Sequence, residues 1–524
     1  MKRLVCVIWT LIFVLSLAAC SSGDTGMADK SAATAESDAG GYYPGDFNEA
    51  ETAPGESYLT IDENGQNQTN DESMLTFSLK VDTAAYTNVQ RYIESGNTPP
   101  ADAVRTEELL NYFSYEGQTD FSEGPFSLSA EIGPSPFDKN KHLGMIRVKT
   151  DAIDTKELPP SNLTFLIDTS GSMDSYDKLP LLKEAFALLV ETLGENDRVS
   201  IVTYAGSAGV VLDSVSGQNK AEILKAIHTL ESGGSTAGAD GIFTAYKLAE
   251  KNFRKDGNNR VILATDGDFN VGPSDTNALS DLVSEKRDNG VYLSILGFGT
   301  GNIRDDIMET LSKDGNGNYA YINDVKTAEK VLVDEMGTNL FTVADDVKAQ
   351  VEFNPENVKS YRLIGYENRR LNHEDFADDS KDAGEVGAGT DVVLLFELEL
   401  QSGGGSEYKY GGAASGEEDG ASGGDYSGEL FEVRIRYKDP GETESRLLAM
   451  PVYTAEVADA MSTDLGFASS VAGFSHLLRN SEHTGEFTYE KALRLAEENL
   501  GEDAGGYRRE YVKMLRQYGD LTGY

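Results

Sequence analysis

Three short stretches of this chain place oxygen-bearing side chains where a hard metal ion could use them. They are Asp168-Thr169-Ser170-Gly171-Ser172, Gly233-Gly234-Ser235-Thr236 and Thr265-Asp266-Gly267. Alternation lets Asp168, Ser170 and Ser172 converge from one tight loop, and Gly171 permits the bend. Two carboxylates, two serine hydroxyls and one threonine hydroxyl form an all-oxygen set, which suits Mg2+, Mn2+ or Ca2+; zinc prefers histidine or cysteine. Neither is near. The histidines at 142, 228, 373, 476 and 483 are scattered with no ligand spacing, and the two cysteines, Cys6 and Cys20, lie at the extreme N-terminus. Disulfide frameworks, Cys-ligated clusters and cysteine nucleophiles are therefore excluded after Cys20. The chain has no HExxH, Walker loop or GxGxxG. Asp314-Gly315-Asn316-Gly317-Asn318 opens like a calcium loop, but Val325 stands where the closing acid belongs, so it reads as a Gly-rich turn.

From Asn162 onward, strand and helix alternate. NLTFLID, RVSIVTY, RVILATDG and VYLSILGFG read as buried strands, GVVLDSV as a short edge strand and NYAYI as a last strand. Between them LPLLKEAFALLVETL, KAEILKAIHTL, GIFTAYKLAEKNF, ALSDLVSEKRDNG and RDDIMETLS have helical spacing, and AEKVLVDEMGTNL closes the region as a helix. Continuous apolar strands between amphipathic helices predict a doubly wound, mainly parallel sheet covered on both faces. Ligands gather at the carboxyl ends of such strands, where Asp168 and Asp266 fall.

This region resembles the von Willebrand factor type A (VWA) domain with its metal-ion-dependent adhesion site (MIDAS). The family pattern, Asp-x-Ser-x-Ser followed by a Thr and then an Asp, is filled at all five positions. The resemblance implies that Ser170, Ser172 and Thr236 coordinate the ion directly, and that Asp168 and Asp266 bind it directly or through water. Thr236 is chosen over Ser235 by its slot before Gly241-Ile242. A sixth position would remain for water or a partner's carboxylate. Mg2+ or Mn2+ is preferred over Ca2+, because compact hydroxyl ligands differ from a seven-oxygen cage. With the ligands at the surface end of the sheet, Asp168→Ala is expected to leave the fold intact.

The flanks narrow the family. VDTAAYTNVQRYI, NNRVILATDGDFNVG, GNGNYAYI and EFNPENVKSYRLIGYENR resemble the YfbK-type bacterial lipoproteins over roughly residues 75 to 520. Helices are expected over about Ala84–Glu94 and Asp102–Phe113, then strands in SLSAEIGPSPF and HLGMIRVKT. DVKAQVEFNP, VKSYRLIGYENR, DVVLLFELEL, ELFEVRIRYKD and SRLLAMPVY read as antiparallel strands of a β-sandwich-like platform into which the VWA domain is inserted. The expected organisation is a signal peptide over 1–20, a disordered acidic linker over 21–73 and an N-terminal flank over 74–160. The VWA domain follows over 161–342, then a β-rich flank over 343–453 with a Gly-rich loop at 401–428, and a helical C-terminal region over 454–524.

The N-terminus reads as an address. Lys2 and Arg3 precede an apolar run from Leu4 to about Leu17, too short to span a bilayer as a helix. Leu17-Ala18-Ala19-Cys20 resembles the bacterial lipobox, which implies a diacylglycerol thioether on Cys20 and membrane attachment through that lipid alone. The 524 residues carry 45 Lys plus Arg against 88 Asp plus Glu, a net charge of -43, which excludes nucleic acid and polybasic lipid docking. The expected role is adhesion or scaffolding in the cell envelope, outside the cytoplasm, with an unidentified protein or surface ligand as partner. A metal-dependent enzyme, or an envelope protein whose metal only stabilises it, are the alternatives. Catalysis needs a nucleophile or base beside the metal, and no histidine lies near the motif, so the expectation is binding and not enzymatic turnover.

Overall fold

The computed structural model describes residues 55–80, 82–153, 158–234, 238–267, 276–379, 381, 383–401 and 426–524. Cys20, Thr236, the part of the expected linker up to residue 54 and residues 402–425 of the expected Gly-rich loop lie outside them. Among the described residues no helix is long and apolar enough to cross a membrane.

Every residue of the strand Ser161–Asp168 is buried, because the sheet around it is covered on both faces. It pairs in parallel with Arg198–Tyr204 on one side and Asn258–Thr265 on the other. Tyr292–Phe298 and Tyr319–Ile322 extend the parallel run, and Ala208–Ser216 closes the opposite edge antiparallel. Alternate side chains leave the central strand on opposite faces. Leu163, Phe165 and Ile167 pack under the helices Leu179–Thr192 and Lys220–His228. Leu166 joins Tyr246, Val283 and Leu311 from the helices Gly238–Lys251, Thr276–Asp288 and Asp305–Asp314. The closing helix is broken: Val325–Glu329 and Met336–Leu340 flank a wider helical turn over Lys330–Asp334. Asp314–Asn318 makes the turn into Tyr319–Ile322, and the Asp314 carboxylate takes the Ser280 hydroxyl.

The platform is a pair of antiparallel sheets built jointly from both flanks. In one sheet Met74–Ser78 pairs with Thr342–Phe353, with Leu75 opposite Val351. In the other His142–Thr150 pairs with Asp391–Leu400, with Ile146 opposite Leu394. Phe353 of the first sheet stacks on Tyr361 of the second at 3.9 Å, within a shared apolar core. The strands Asp391–Leu400 and Glu429–Lys438, on either side of the Gly-rich stretch, thus belong to different sheets.

The C-terminal helices Thr463–Arg479, Tyr489–Glu498 and Tyr507–Thr522 share a third core with the N-terminal helices Ala84–Glu94 and Thr106–Leu110. The helix expected over Asp102–Phe113 is shorter, only a turn at Ala101–Ala103 and then Thr106–Leu110. Arg105 between them is extended and buried, holding Glu108 at 2.6 Å and Asp305 of the VWA domain at 2.5 Å. Arg369 joins the same cluster through Asp82 at 3.0 Å and Glu309 at 3.5 Å. The helix is interrupted where Arg105 turns inward to this cluster, which joins three parts of the chain.

Residues 55–73, expected within a disordered linker, are docked. Asn67 and Gln68 pair with Tyr361 and Ser360 at the platform edge, and Glu56, Asn64 and Thr69 are buried. Such a polar stretch gains order from backbone pairing and a buried ion pair, which composition does not reveal. Glu56 takes two hydrogen bonds from Arg91 at 3.0 Å each, the Tyr92 hydroxyl at 2.7 Å and the Gly301 N–H at 3.0 Å.

Candidate metal centre

Asp168 ends the central strand and Asp266 follows the end of its neighbour, so the two carboxylates emerge at adjacent carboxyl ends of the sheet. Asp168 is fully buried. Its Oδ1 accepts the Ser170 N–H at 2.8 Å, and its Oδ2 accepts the Tyr204 and Thr265 hydroxyls, each at 3.2 Å. The turn Gly171–Asp174 then brings Ser170 Oγ within 2.9 Å of Ser172 Oγ. Met173, fully buried in the core beneath, anchors this turn, while Ser172 stays exposed. Ser172 also hydrogen-bonds Asp266.

The second loop is laced to the first by its backbone. Gly233 N–H donates to Thr169 O at 2.8 Å, and Gly171 N–H donates to Gly234 O at 3.2 Å. The root of the Thr236 loop therefore abuts Asp168-x-Ser170-x-Ser172, while Thr236 itself lies outside the described residues.

Three participants escaped the sequence reading. Lys178 donates from Nζ to Asp266 Oδ2 at 2.8 Å and to Asn302 Oδ1 at 3.2 Å. Asn302 also bonds Asp266. Tyr204 caps Asp168 from the neighbouring strand. No local pattern marks them, because they arrive from separate loops and a separate strand. Thr265, by contrast, belongs to the third stretch singled out above. Gly267 has φ +95°, and a Cβ there would lie 2.6 Å from Asn302 O, so the Asp266 turn is pressed against that loop.

The two carboxylates have opposite acidities. Burial pushes Asp168 up to about 6, against the hydrogen bonds from Ser170, and the Asp266 charge adds to the rise. Burial also acts to raise Asp266, but the Lys178 ammonium and the Asn302 amide outweigh it and hold this carboxyl below its usual range. Asp168 and Asp266 are both fully buried rather than at the surface, so Asp168→Ala, expected to leave the fold intact, carries a cost in stability even without the ion. Alanine would remove the acceptor that three buried donors now share.

The described part of the set, Asp168, Ser170, Ser172 and Asp266, offers oxygen donors only, with two hydroxyls side by side and one of them open to solvent. These residues fit a hard cation. Among the described residues no three His, Cys, Asp or Glu side chains converge as a metal cluster; this set relies on two carboxylates and on hydroxyls instead.

A family profile described as the von Willebrand factor type A domain matches residues 162–334, and one described as von Willebrand factor matches 52–145. A profile for the C-terminal part of the uncharacterized protein YfbK matches 338–521. The uncharacterized protein YfbK of Escherichia coli (strain K12) is 41% identical over 472 residues, which are 89% of this chain and 81% of that one. The chain belongs to the YfbK family. The chain is also 28% identical over 166 residues, 30% of its length, to human inter-alpha-trypsin inhibitor heavy chain H3, of which the match spans 18%. A solved von Willebrand factor type A protein from Catenulispora acidiphila aligns with 77% of this chain and 91% of its own, at 16% identity and a TM-score of 0.42. The candidate centre thus lies in the VWA domain of a YfbK-family chain.

Proposed function

We propose that this chain is a lipid-anchored envelope protein whose VWA domain holds a divalent cation and uses it to bind a carboxylate on a protein or surface ligand. The convergence of Asp168, Ser170, Ser172 and Asp266 at two adjacent strand ends carries the reading. Ser170, Ser172 and Thr236 would hold the ion directly, with Asp168 and Asp266 binding it directly or through water, and Mg2+ or Mn2+ suits the site better than Ca2+. A bound ion supplies positive charge and a coordination position for an incoming oxygen. The side chains do the positioning: Tyr204 and Thr265 orient Asp168, and Lys178 and Asn302 orient Asp266. Around the set the described residues supply hydroxyls, amides and a lysine already engaged, a composition that supports binding over turnover. The lipobox at Leu17–Cys20 supports the anchor.

Calorimetry with Mg2+ and Mn2+ tests the site. Wild type should bind one ion, and EDTA treatment or Asp168→Asn should abolish capture of the partner in cross-linking on intact cells. A partner that binds equally well after both treatments would show the centre to be structural.

A further inference from the structure

Lys178 is built into the candidate centre as firmly as the carboxylates. Its side chain is 9% exposed, with the ammonium on Asp266 and Asn302. The stem runs past Gly299, where φ is +74° and an added Cβ would fall 2.3 Å from two stem carbons. Only a residue without a side chain leaves that slot. Asn302 is fixed in turn. Gly267 packs on its carbonyl, and the segment Glu56–Ser57 hydrogen-bonds Gly301 and Ile303 on either side. A free surface lysine would drift into solvent; this one is held on Asp266 by the fold.

We propose that Lys178 sets the charge of the loaded centre, lowering its affinity for the cation and raising the loaded centre's affinity for an anionic oxygen ligand such as a carboxylate. The proposal rests on the metal-binding reading above. Asp168 and Asp266 together bring a charge of -2. A divalent ion alone would cancel it, and the neutral centre would have little preference for an anion over water. With Lys178 the loaded centre is left with one net positive charge, which an entering carboxylate neutralises. The ammonium and the metal ion repel each other, while the ammonium and the entering anion attract, so one side chain moves the two affinities in opposite directions. A lysine that merely packed the loop would, when removed, weaken both or neither.

The test uses the full chain in detergent micelles, comparing wild type with Lys178→Met, which keeps the stem and loses the charge. Free Mn2+ is measured by electron paramagnetic resonance, and acetate binding to the Mn2+-loaded protein by water-proton relaxation. Lys178→Met is expected to bind Mn2+ on the order of tenfold more tightly and acetate on the order of tenfold more weakly. Unchanged or weakened Mn2+ binding in a folded variant, or acetate bound equally well by both proteins, overturns the proposal and leaves the metal reading standing. A wild type that binds no Mn2+ overturns both. Should Lys178→Met fail to fold by circular dichroism, Lys178→Gln answers the same question with the same outcomes.

Discussion

Asp168 and Asp266 are the same residue at adjacent strand ends, yet their neighbours push their acidities apart. Asp168 is surrounded by hydroxyls and one backbone N–H, too little to offset burial, whereas Asp266 has an ammonium in contact. Substitutions at Asp168 should therefore separate binding from stability. Asp168→Asn keeps the shape: its amide oxygen can still accept the Ser170 N–H, and its NH2, in place of Oδ2, can donate to the Tyr204 and Thr265 hydroxyl oxygens. It should abolish Mn2+ binding in calorimetry while leaving the urea unfolding midpoint in EDTA nearly unchanged. Asp168→Ala removes the acceptor from three buried donors and should cost about 3 kcal/mol in the same unfolding measurement. An alanine variant as stable as the asparagine variant would mean that these hydrogen bonds contribute little.

Among the elements, the segment Glu56–Ser57 supports the site from outside. Ser57 N–H donates to Ile303 O at 2.9 Å, and Ser57 Oγ donates to Asp306 Oδ1 at 2.6 Å, so the segment runs beside the loop carrying Asn302. Glu56→Ala would leave the largely buried Arg91 guanidinium without its carboxylate, at a cost of about 2 kcal/mol. Limited proteolysis should then cut near Tyr58, and Mn2+ should bind more weakly because Asn302 loses its support. Retained protection with full affinity would show the segment to be passive. The platform strands depend on one another in the same way. Met74–Ser78 lies between Thr342–Phe353 and Arg370–Leu371, so a chain ending near Leu340 should leave residues 75–160 open to protease. A resistant N-terminal flank in that truncation would mean that it closes a core unaided.

Two predictions belong to the whole molecule. Mass spectrometry of the mature N-terminus should find acyl chains on Cys20, and Cys20→Ser should release the protein from membranes; an unmodified Cys20 removes the anchor. The second concerns pH. Burial pushes Glu108 and Glu367 up to about 7, against their Arg105 and Arg479 partners, and Asp168 up to about 6. In each, the folded state holds a proton that the unfolded chain has already released, so this contribution to stability falls as pH rises from about 4.5 to 7. Burial acts to raise Glu56, Asp82 and Asp266 too, but Arg91, the Lys80 and Arg369 pair, and Lys178 respectively hold them below the usual range. Their contribution is complete above the ordinary carboxylate values and is lost only as pH falls below about 4. Repulsion at a net charge of -43 weakens the folded state further at high pH. Thermal unfolding in EDTA should therefore have a higher midpoint at about pH 5.5 than at about pH 8. A midpoint that rises toward pH 8 would mean that these carboxyls are outweighed by His476, which burial holds neutral in the fold and whose contribution grows as pH rises through about 6.5.

What could be read without coordinates was local or periodic. The strand Ser161–Asp168 declares itself because a strand buried on both faces is apolar without interruption, and the helix Ala84–Glu94 because one face repeats every turn. Asp168, Ser170 and Ser172 share one loop, so their convergence follows from chain geometry over five residues. The tertiary structure decided what depends on distant segments meeting. Lys178 reaches Asp266 across 88 positions and Asn302 across 124, and no pattern in one stretch encodes either contact. The short helix Thr106–Leu110 follows from Arg105 turning inward to Asp305, 200 positions away. Residues 55–73 look like linker because they have little apolar surface to bury. Their order comes from the edge strand Val358–Ile364 and from Arg91, partners that exist only once the rest of the chain has folded.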